Sequence, residues 1–245
     1  MQSVKNNHFF GAFTILSNMD YNTLIDNITK KILQELAQRE KPSWETYASK
    51  PVSANGNWIP VGISARHIHI TREVFEQLYG SGKELTVYTD LYQPGEFASV
   101  EVVTLIGPRL RAIQDVRILG PFREYTQIEL SRTDGVALGI DPPVRKSGDL
   151  KGSEPIVLVG PAGAVSLKEG AICANRHVHT NPKNAERLGV KDDAIVKVRV
   201  PGIRAITFEN VQIRVSDKFF LQMHLDTDDA NAAGIKCGES VELVK

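Results

Sequence analysis

Arg66-His67-Ile68-His69 recurs further along the chain as Arg176-His177-Val178-His179, and these two tetrapeptides hold four of the six histidines. A fifth, His224, lies in Gln222-Met223-His224-Leu225-Asp226, and only His8 stands apart. Strand-like sequence precedes each pair: Ile59-Pro-Val-Gly-Ile-Ser64 and Gly170-Ala-Ile-Cys-Ala-Asn175. Alternate side chains of a strand share a face, so both imidazoles of a His-x-His can converge on one ion while Ile68 or Val178 turns into apolar packing. The competing reading is a pair of ordinary barrel-lining histidines. Two copies plus a third histidine favour a metal.

Working outward, each pair is followed by a short helical segment closed by glycine. In the first, Thr71 caps, Val74, Phe75 and Leu78 form the apolar side, and Gly80 ends the run; Leu188 and Gly189 close the second. A second register reinforces the duplication. Glu129-Leu-Ser-Arg-Thr-Asp134-Gly-Val-Ala-Leu-Gly139-Ile140 aligns without gaps on His224-Leu-Asp-Thr-Asp-Asp229-Ala-Asn-Ala-Ala-Gly234-Ile235. Strand-like runs at 84–89, 98–106, 112–118, 126–130, 156–159, 165–167, 195–200, 206–215 and 241–244 are punctuated by Gly107-Pro108, Gly120-Pro121 and the turn-rich segment 141–152. The expected fold is mainly β, in the α+β sense. It comprises two tandem, pseudo-duplicated β-barrel domains with short helices, residues 58–145 and 146–245, with strands free to exchange between halves.

The same register completes two ligand sets. His224 falls on Glu129, so one half offers His67, His69 and Glu129 and the other His177, His179 and His224. Three nitrogen or oxygen ligands are the composition of a catalytic zinc site that keeps a position open. Such donors also take cobalt, nickel or manganese. Whether the metals form one dinuclear centre or two separate sites does not follow from the pattern. Without metal, one of the second-half histidines could serve as a base. Arg123, register-mate of Lys218, shares strand parity with Tyr125, Gln127 and Glu129 if one strand runs through all four. It reads equally as a phosphate or carboxylate clamp and as an ion-pair partner of Glu124 or Asp134. Arg66 and Arg176 are further anion-binding candidates. Cys173 has Ile63 as its first-half counterpart, which argues against a nucleophilic role.

Composition narrows the class. With 29 basic and 29 acidic residues the formal net charge is zero, which argues against a nucleic-acid partner. The two cysteines, Cys173 and Cys237, lack zinc-ribbon spacing and fit a reducing compartment. No apolar run reaches membrane-spanning length, and the first thirteen residues carry no convincing signal-peptide pattern; Met19 offers a second start.

Residues 1–57 read as an N-terminal extension. Leu24, Ile25, Ile28, Ile32, Leu33 and Leu36 make one apolar stripe of a helix over about 20–39, with Asp20 as its N-cap. A polar, proline-bearing linker follows to residue 57. A tethered amphipathic helix is a docking peptide, an oligomer contact or a helix packed on its own domain, and these stay open. A homo-oligomer is expected.

The body, over residues 58–245, resembles the PduL-type phosphate propanoyltransferases, the phosphotransacylases of bacterial microcompartments. The likeness rests on Val-Gly-Ile-Ser-Ala-Arg-His67-Ile-His69, on Val-Arg117-Ile-Leu-Gly-Pro-Phe-Arg123 followed after five residues by Glu129-Leu-Ser-Arg-Thr-Asp, on Asn-Arg-His177-Val-His179, and on Gln-Met-His224-Leu-Asp-Thr-Asp-Asp-Ala-Asn231. It implies two β-barrels with two zinc ions in a site between them. One zinc would be held by His67, His69, Glu129 and the coenzyme A sulfur, the other by His177, His179, His224 and waters. It further implies Arg123 as phosphate-binding and catalytic, and Ser64, Arg117 and Asn231 as coenzyme A contacts. The N-terminal helix would direct the enzyme to shell proteins of a compartment in the bacterial cytoplasm, with propanediol degradation as a setting.

The expected reaction is reversible acyl transfer without an acyl-enzyme: acyl-coenzyme A plus phosphate gives acyl phosphate plus coenzyme A. Two alternatives remain, a metal-dependent thioester hydrolase and a non-catalytic metal-bearing scaffold protein.

Overall fold

Short runs of alternating apolar residues, broken by glycine turns, cannot bury a face alone and close on one another. The computed structural model describes residues 21–38 and 56–244. They fall into two units, with α1 (Tyr21–Gln38) in the first and the barrels in the second. Within α1, Ile25, Ile28, Ile32 and Leu33 are exposed. The proposed cap Asp20 and the linker up to residue 55 lie outside the described residues.

Six strands close the first barrel: β2 (His67–His69), β4 (Phe97–Ile106), β5 (Ala112–Gly120), β6 (Gln127–Glu129), β8 (Glu154–Val159) and β9 (Ala164–Ala174). They run β4-β5-β2-β6-β9-β8 and return to β4. β3 (Val87–Asp90) flanks β4, and β7 (Val144–Arg145) flanks β9. The second barrel closes β1 (Trp58–Ser64), β13 (Gln222–Asp226), β10 (His177–Thr180), β12 (Ile206–Val215), β11 (Ile195–Val200) and β14 (Ser240–Val244) in that order. Each has its own core. Ile68, Phe75, Leu105, Ile118, Ile128 and Leu158 fill the first, and Val61, Val178, Val198, Val211, Ile213 and Met223 the second. Each such fully buried side chain contributes about 1.5–3 kcal/mol.

The barrels interleave along the chain. β1 belongs to the second barrel, and β8 and β9 belong to the first. A cut near residue 145 divides the chain but not the barrels. The chain crosses between them at Ala65-Arg66 and again at Asn175-Arg176, directly before each His-x-His.

Four short helices decorate the barrels: α2 (Arg72–Tyr79), α3 (Arg132–Leu138), α4 (Pro182–Leu188) and α5 (Thr227–Ala233). Their caps explain the gapless alignment. Ser131 and Asp226 cap α3 and α5 by accepting from the backbone N–H groups of Asp134 and Asp229. Gly139 and Gly234 end those helices at φ 78° and 65°, where a side chain is strained. Strand, cap, helix and glycine form one repeated unit, and a residue inserted in either copy would lose the cap.

Candidate metal centres between the barrels

Each crossing sets the tautomer of the histidine beside it. His67 Nδ1 lies 2.8 Å from the Ala65 carbonyl, and His177 Nδ1 lies 2.8 Å from that of Asn175. A carbonyl only accepts, so each Nδ1 carries the proton and each Nε2 keeps its lone pair for a ligand. Strand register then supplies the third donor. β6 sets Glu129 opposite His67, and β13 sets His224 opposite His177. His67 Nε2 is 3.5 Å and His69 Nε2 is 3.9 Å from Glu129 oxygens. In the second cluster the His177, His179 and His224 ring centroids are 4.6–4.8 Å apart.

In each set one donor atom per residue lies within 4.8 Å of the others. Bonds of about 2.0–2.1 Å to a tetrahedral ion would put donors roughly 3.3–3.4 Å apart, so small side-chain rotations close either set. Three buried ring nitrogens have no hydrogen-bond partner among the described residues: His69 Nδ1, His179 Nδ1 and His224 Nε2. Uncompensated nitrogens of this kind are what a bound ion would satisfy. Burial holds His69 and His224 well below the usual imidazole range, assisted at His69 by His67 and Arg123 and at His224 by its histidine neighbours and Arg214. Burial and then the Arg214 charge lower His177 to about 3 and His179 to about 4. These imidazoles are neutral at pH 7, the metal-binding form. The residues fit two divalent ions.

One pocket is lined by Glu129 of the first cluster and His177 and His224 of the second, together with Ser64, Asn175 and Asp226. Ser64 Oγ stands 3.5 Å from His224 Nδ1. Arg117 and Asn231 lie outside that lining. Arg117 opposes His67 on β5 and rests its guanidinium 4.8 Å from the Tyr88 ring centroid; Asn231 is exposed on α5. Arg123 does not share a strand with Glu129, because β6 begins only at Gln127. It sits in the connection after Gly120-Pro121, tied by its N–H to the Ile70 carbonyl. Its ion-pair partner is Glu96 at 2.6 Å, not Glu124 or Asp134. Its Nε is buried and unpartnered among the described residues.

Arg66 and Arg176 are already engaged. Arg66 pairs with Asp134 at 2.7 Å and Arg176 with Asp229 at 2.6 Å, so each ties a crossing to the capped helix beside it. Lys218 is exposed. Cys173 lies on β9, which ends at Ala174, and His177 begins the separate strand β10. The Cys173 thiol donates to Asp226 at 3.6 Å, and burial followed by the Asp226 charge pushes it up to about 12.

Three features escaped the sequence reading. Gln127, fully buried, donates to Glu129 Oε1 at 2.7 Å, and Ser147 donates to the same oxygen at 3.2 Å, leaving Oε2 toward His67. Phe219 stacks on His179 at 4.0 Å, while Gln93 of the other barrel holds Phe220 by two backbone hydrogen bonds. Arg214, opposite His179 on β12, faces the second cluster. Its parity with Gln212 was the available signal. Its duplicate position, by register with β5, is Leu119, so repeat matching passes over it.

A profile of phosphate propanoyltransferases matches residues 60–236. The chain is 49% identical over 220 residues to the phosphate propanoyltransferase of Lachnoclostridium phytofermentans, covering 90% of this chain and 98% of that one. It is 51% identical over 188 residues to that of Thermotoga maritima, covering 76% and 89%. With the Priestia megaterium protein of the same name it is 46% identical over 216 residues, covering 88% and 93%. This chain belongs to the phosphate propanoyltransferase family and is an acyltransferase.

Proposed function

We propose that this chain transfers a propanoyl or similar short acyl group reversibly between coenzyme A and phosphate, at a two-zinc site and without an acyl-enzyme. The observation that supports the reading is one pocket lined by Glu129 of the first three-donor set and by His177 and His224 of the second, with the partly unpartnered guanidinium of Arg123 acting on His69 of the first. His67, His69 and Glu129 would hold one ion and His177, His179 and His224 the other. When bound, zinc supplies charge for the developing oxyanion and a soft partner for the departing thiolate.

The chain's own residues do the rest. Arg123 would hold phosphate beside the thioester through Nε and its remaining donors, and positioning alone converts an encounter into a near-unimolecular step. Glu96 keeps that guanidinium oriented. Attack of a phosphate oxygen on the thioester carbon forms the C–O bond, and collapse breaks C–S and releases coenzyme A thiolate, so charge and atoms balance with no oxidant. Ser64, Arg117 and Asn231 would contact coenzyme A. The direct-transfer reading is supported by Cys173: a thiol pushed up to about 12 and donating to a carboxylate makes a poor nucleophile at neutral pH.

The exposed Ile25, Ile28, Ile32 and Leu33 stripe supports α1 as the segment that docks on microcompartment shell proteins in the bacterial cytoplasm, or that assembles copies of the chain. Among the described residues no helix is long and apolar enough to cross a membrane.

The test is coenzyme A release from propanoyl-coenzyme A, with and without phosphate, before and after metal stripping and zinc return. Release that needs both phosphate and metal upholds the proposal. Release without phosphate would make the protein a thioester hydrolase. No release by folded, zinc-loaded protein would leave a metal-bearing scaffold.

A further inference from the structure

Arg214 lies across from His179 in the β10–β12 register, and Gln212 on the same strand lies across from His177. Its Nε and Nη2 are buried and have no hydrogen-bond partner among the described residues. Its charge acts on His177, His179 and His224. Glu129, Tyr125, Asp193 and Asp192 are the groups that act on it in turn.

The nearby carboxylates each accept hydrogen bonds from other groups, and none bonds to Arg214. Glu129 Oε1 accepts from Gln127 and Ser147. Asp193 accepts from Lys146 and Gln212, and Asp192 from the Val215 N–H. Two guanidinium nitrogens that have lost water and gained no acceptor are unfavourable in a protein by themselves. In a site that takes up an anion the guanidinium is well prepared, because its fork matches phosphate oxygens. Arg123 serves the other side: its Nη2 is bound to Glu96, and its charge acts on His69 of the first cluster.

We infer that Arg214 is a second phosphate-binding residue of the site, holding orthophosphate, and the acyl phosphate formed from it, from the second-barrel side opposite Arg123. This rests on the transacylase reading. Coenzyme A also carries phosphate groups, but Arg214 is electrostatically coupled to both ligand sets, which favours the phosphate that reacts.

The test uses the full-length, zinc-loaded protein and the variants Arg214→Lys and Arg214→Met. Steady-state rates are measured against phosphate and propanoyl-coenzyme A separately, with zinc content alongside. In Arg214→Met the KM for phosphate should rise about 10- to 100-fold, the range of one charge-assisted hydrogen bond. The KM for propanoyl-coenzyme A should stay within about twofold and zinc content should hold. Arg214→Lys should fall between. An unchanged KM for phosphate would overturn the inference. So would a rise confined to propanoyl-coenzyme A, which would mark a coenzyme A contact, or zinc loss in both variants, which would mark a structural role. Wild-type release that needs no phosphate would sink the transacylase reading instead. Calorimetric titration with orthophosphate would then decide Arg214 alone, tighter binding by wild type than by Arg214→Met upholding it and equal binding overturning it.

Discussion

Replacing Gln127 by Met removes three hydrogen bonds from a fully buried side chain while nearly conserving its volume. Nε2 donates to the Glu129 carboxylate at 2.7 Å and to Ser147 Oγ at 2.7 Å, and Oε1 accepts from the Gly148 N–H at 2.7 Å. The bond to the carboxylate is worth roughly 1.5–3 kcal/mol and each neutral bond roughly 0.5–1.5 kcal/mol. Some of this is recovered, because Ser147 still reaches Glu129 at 3.2 Å. The net cost to stability should be about 2–4 kcal/mol. The larger consequence falls on the first proposed metal site. Glu129 loses the contact that turns Oε2 toward His67, and losing such a supporting contact weakens a metal site roughly 10- to 100-fold. Competition with a chromophoric chelator resolves two sites and should show one weakened and one at its wild-type affinity. The duplicate residue, Gln222, supplies the control: it contacts Gln93 of the other barrel and no ligand, so Gln222→Met should spare both affinities. Two unchanged affinities in Gln127→Met, alongside a lowered melting temperature, would refute the argument that Gln127 orients Glu129. Equal weakening of both sites would show a general loss of structure.

Other outcomes follow from the same geometry. Cys173 should resist iodoacetamide at pH 8.5 while the exposed Cys237 reacts, as peptide mapping would show. In the unfolded chain the Cys173 thiol ionises near pH 9, whereas in the fold it keeps its proton to about 12. The unfolded state therefore binds fewer protons in that window, so stability falls as pH rises through it, and Cys173→Ala should flatten that slope in urea titrations. Gly107→Ala would set a Cβ 2.1 Å from the Leu138 carbonyl oxygen, where backbone must move, and should cost at least about 2–3 kcal/mol. Gly62→Ala meets only the end of the Gln222 side chain at 2.7 Å and should cost less in the same melts. Arg66→Ala strips the buried Asp134 of its guanidinium and should lower stability by roughly 2–3 kcal/mol while leaving the KM for phosphate near wild type, since Arg66 serves the helix cap.

The barrels, two of the short helices and both three-donor sets were legible in the chain itself because each is written locally or by repetition. Period-two apolar runs mark strands, Thr71 and Gly80 bound one short helix, Leu188-Gly189 close another, and one constant offset lays Glu129 on His224; the caps Ser131 and Asp226 emerge only with the fold. What only the tertiary structure decided concerns partners distant in sequence. The exchange of β1, β8 and β9 between barrels depends on which edges close each ring, and no residue along those strands names its neighbour. Shared parity of Arg123 with Glu129 holds only if one strand runs through both, but β6 begins at Gln127, and the ion-pair partner of Arg123 is Glu96 in the connection before β4. Gln127 and Arg214 read as ordinary strand residues. Burial beside a carboxylate gives the first a role, and burial without an acceptor gives one to the second. Local sequence determines which faces must be covered, but the energy of a buried polar group depends on what the fold brings against it, and that is settled only when the barrels close.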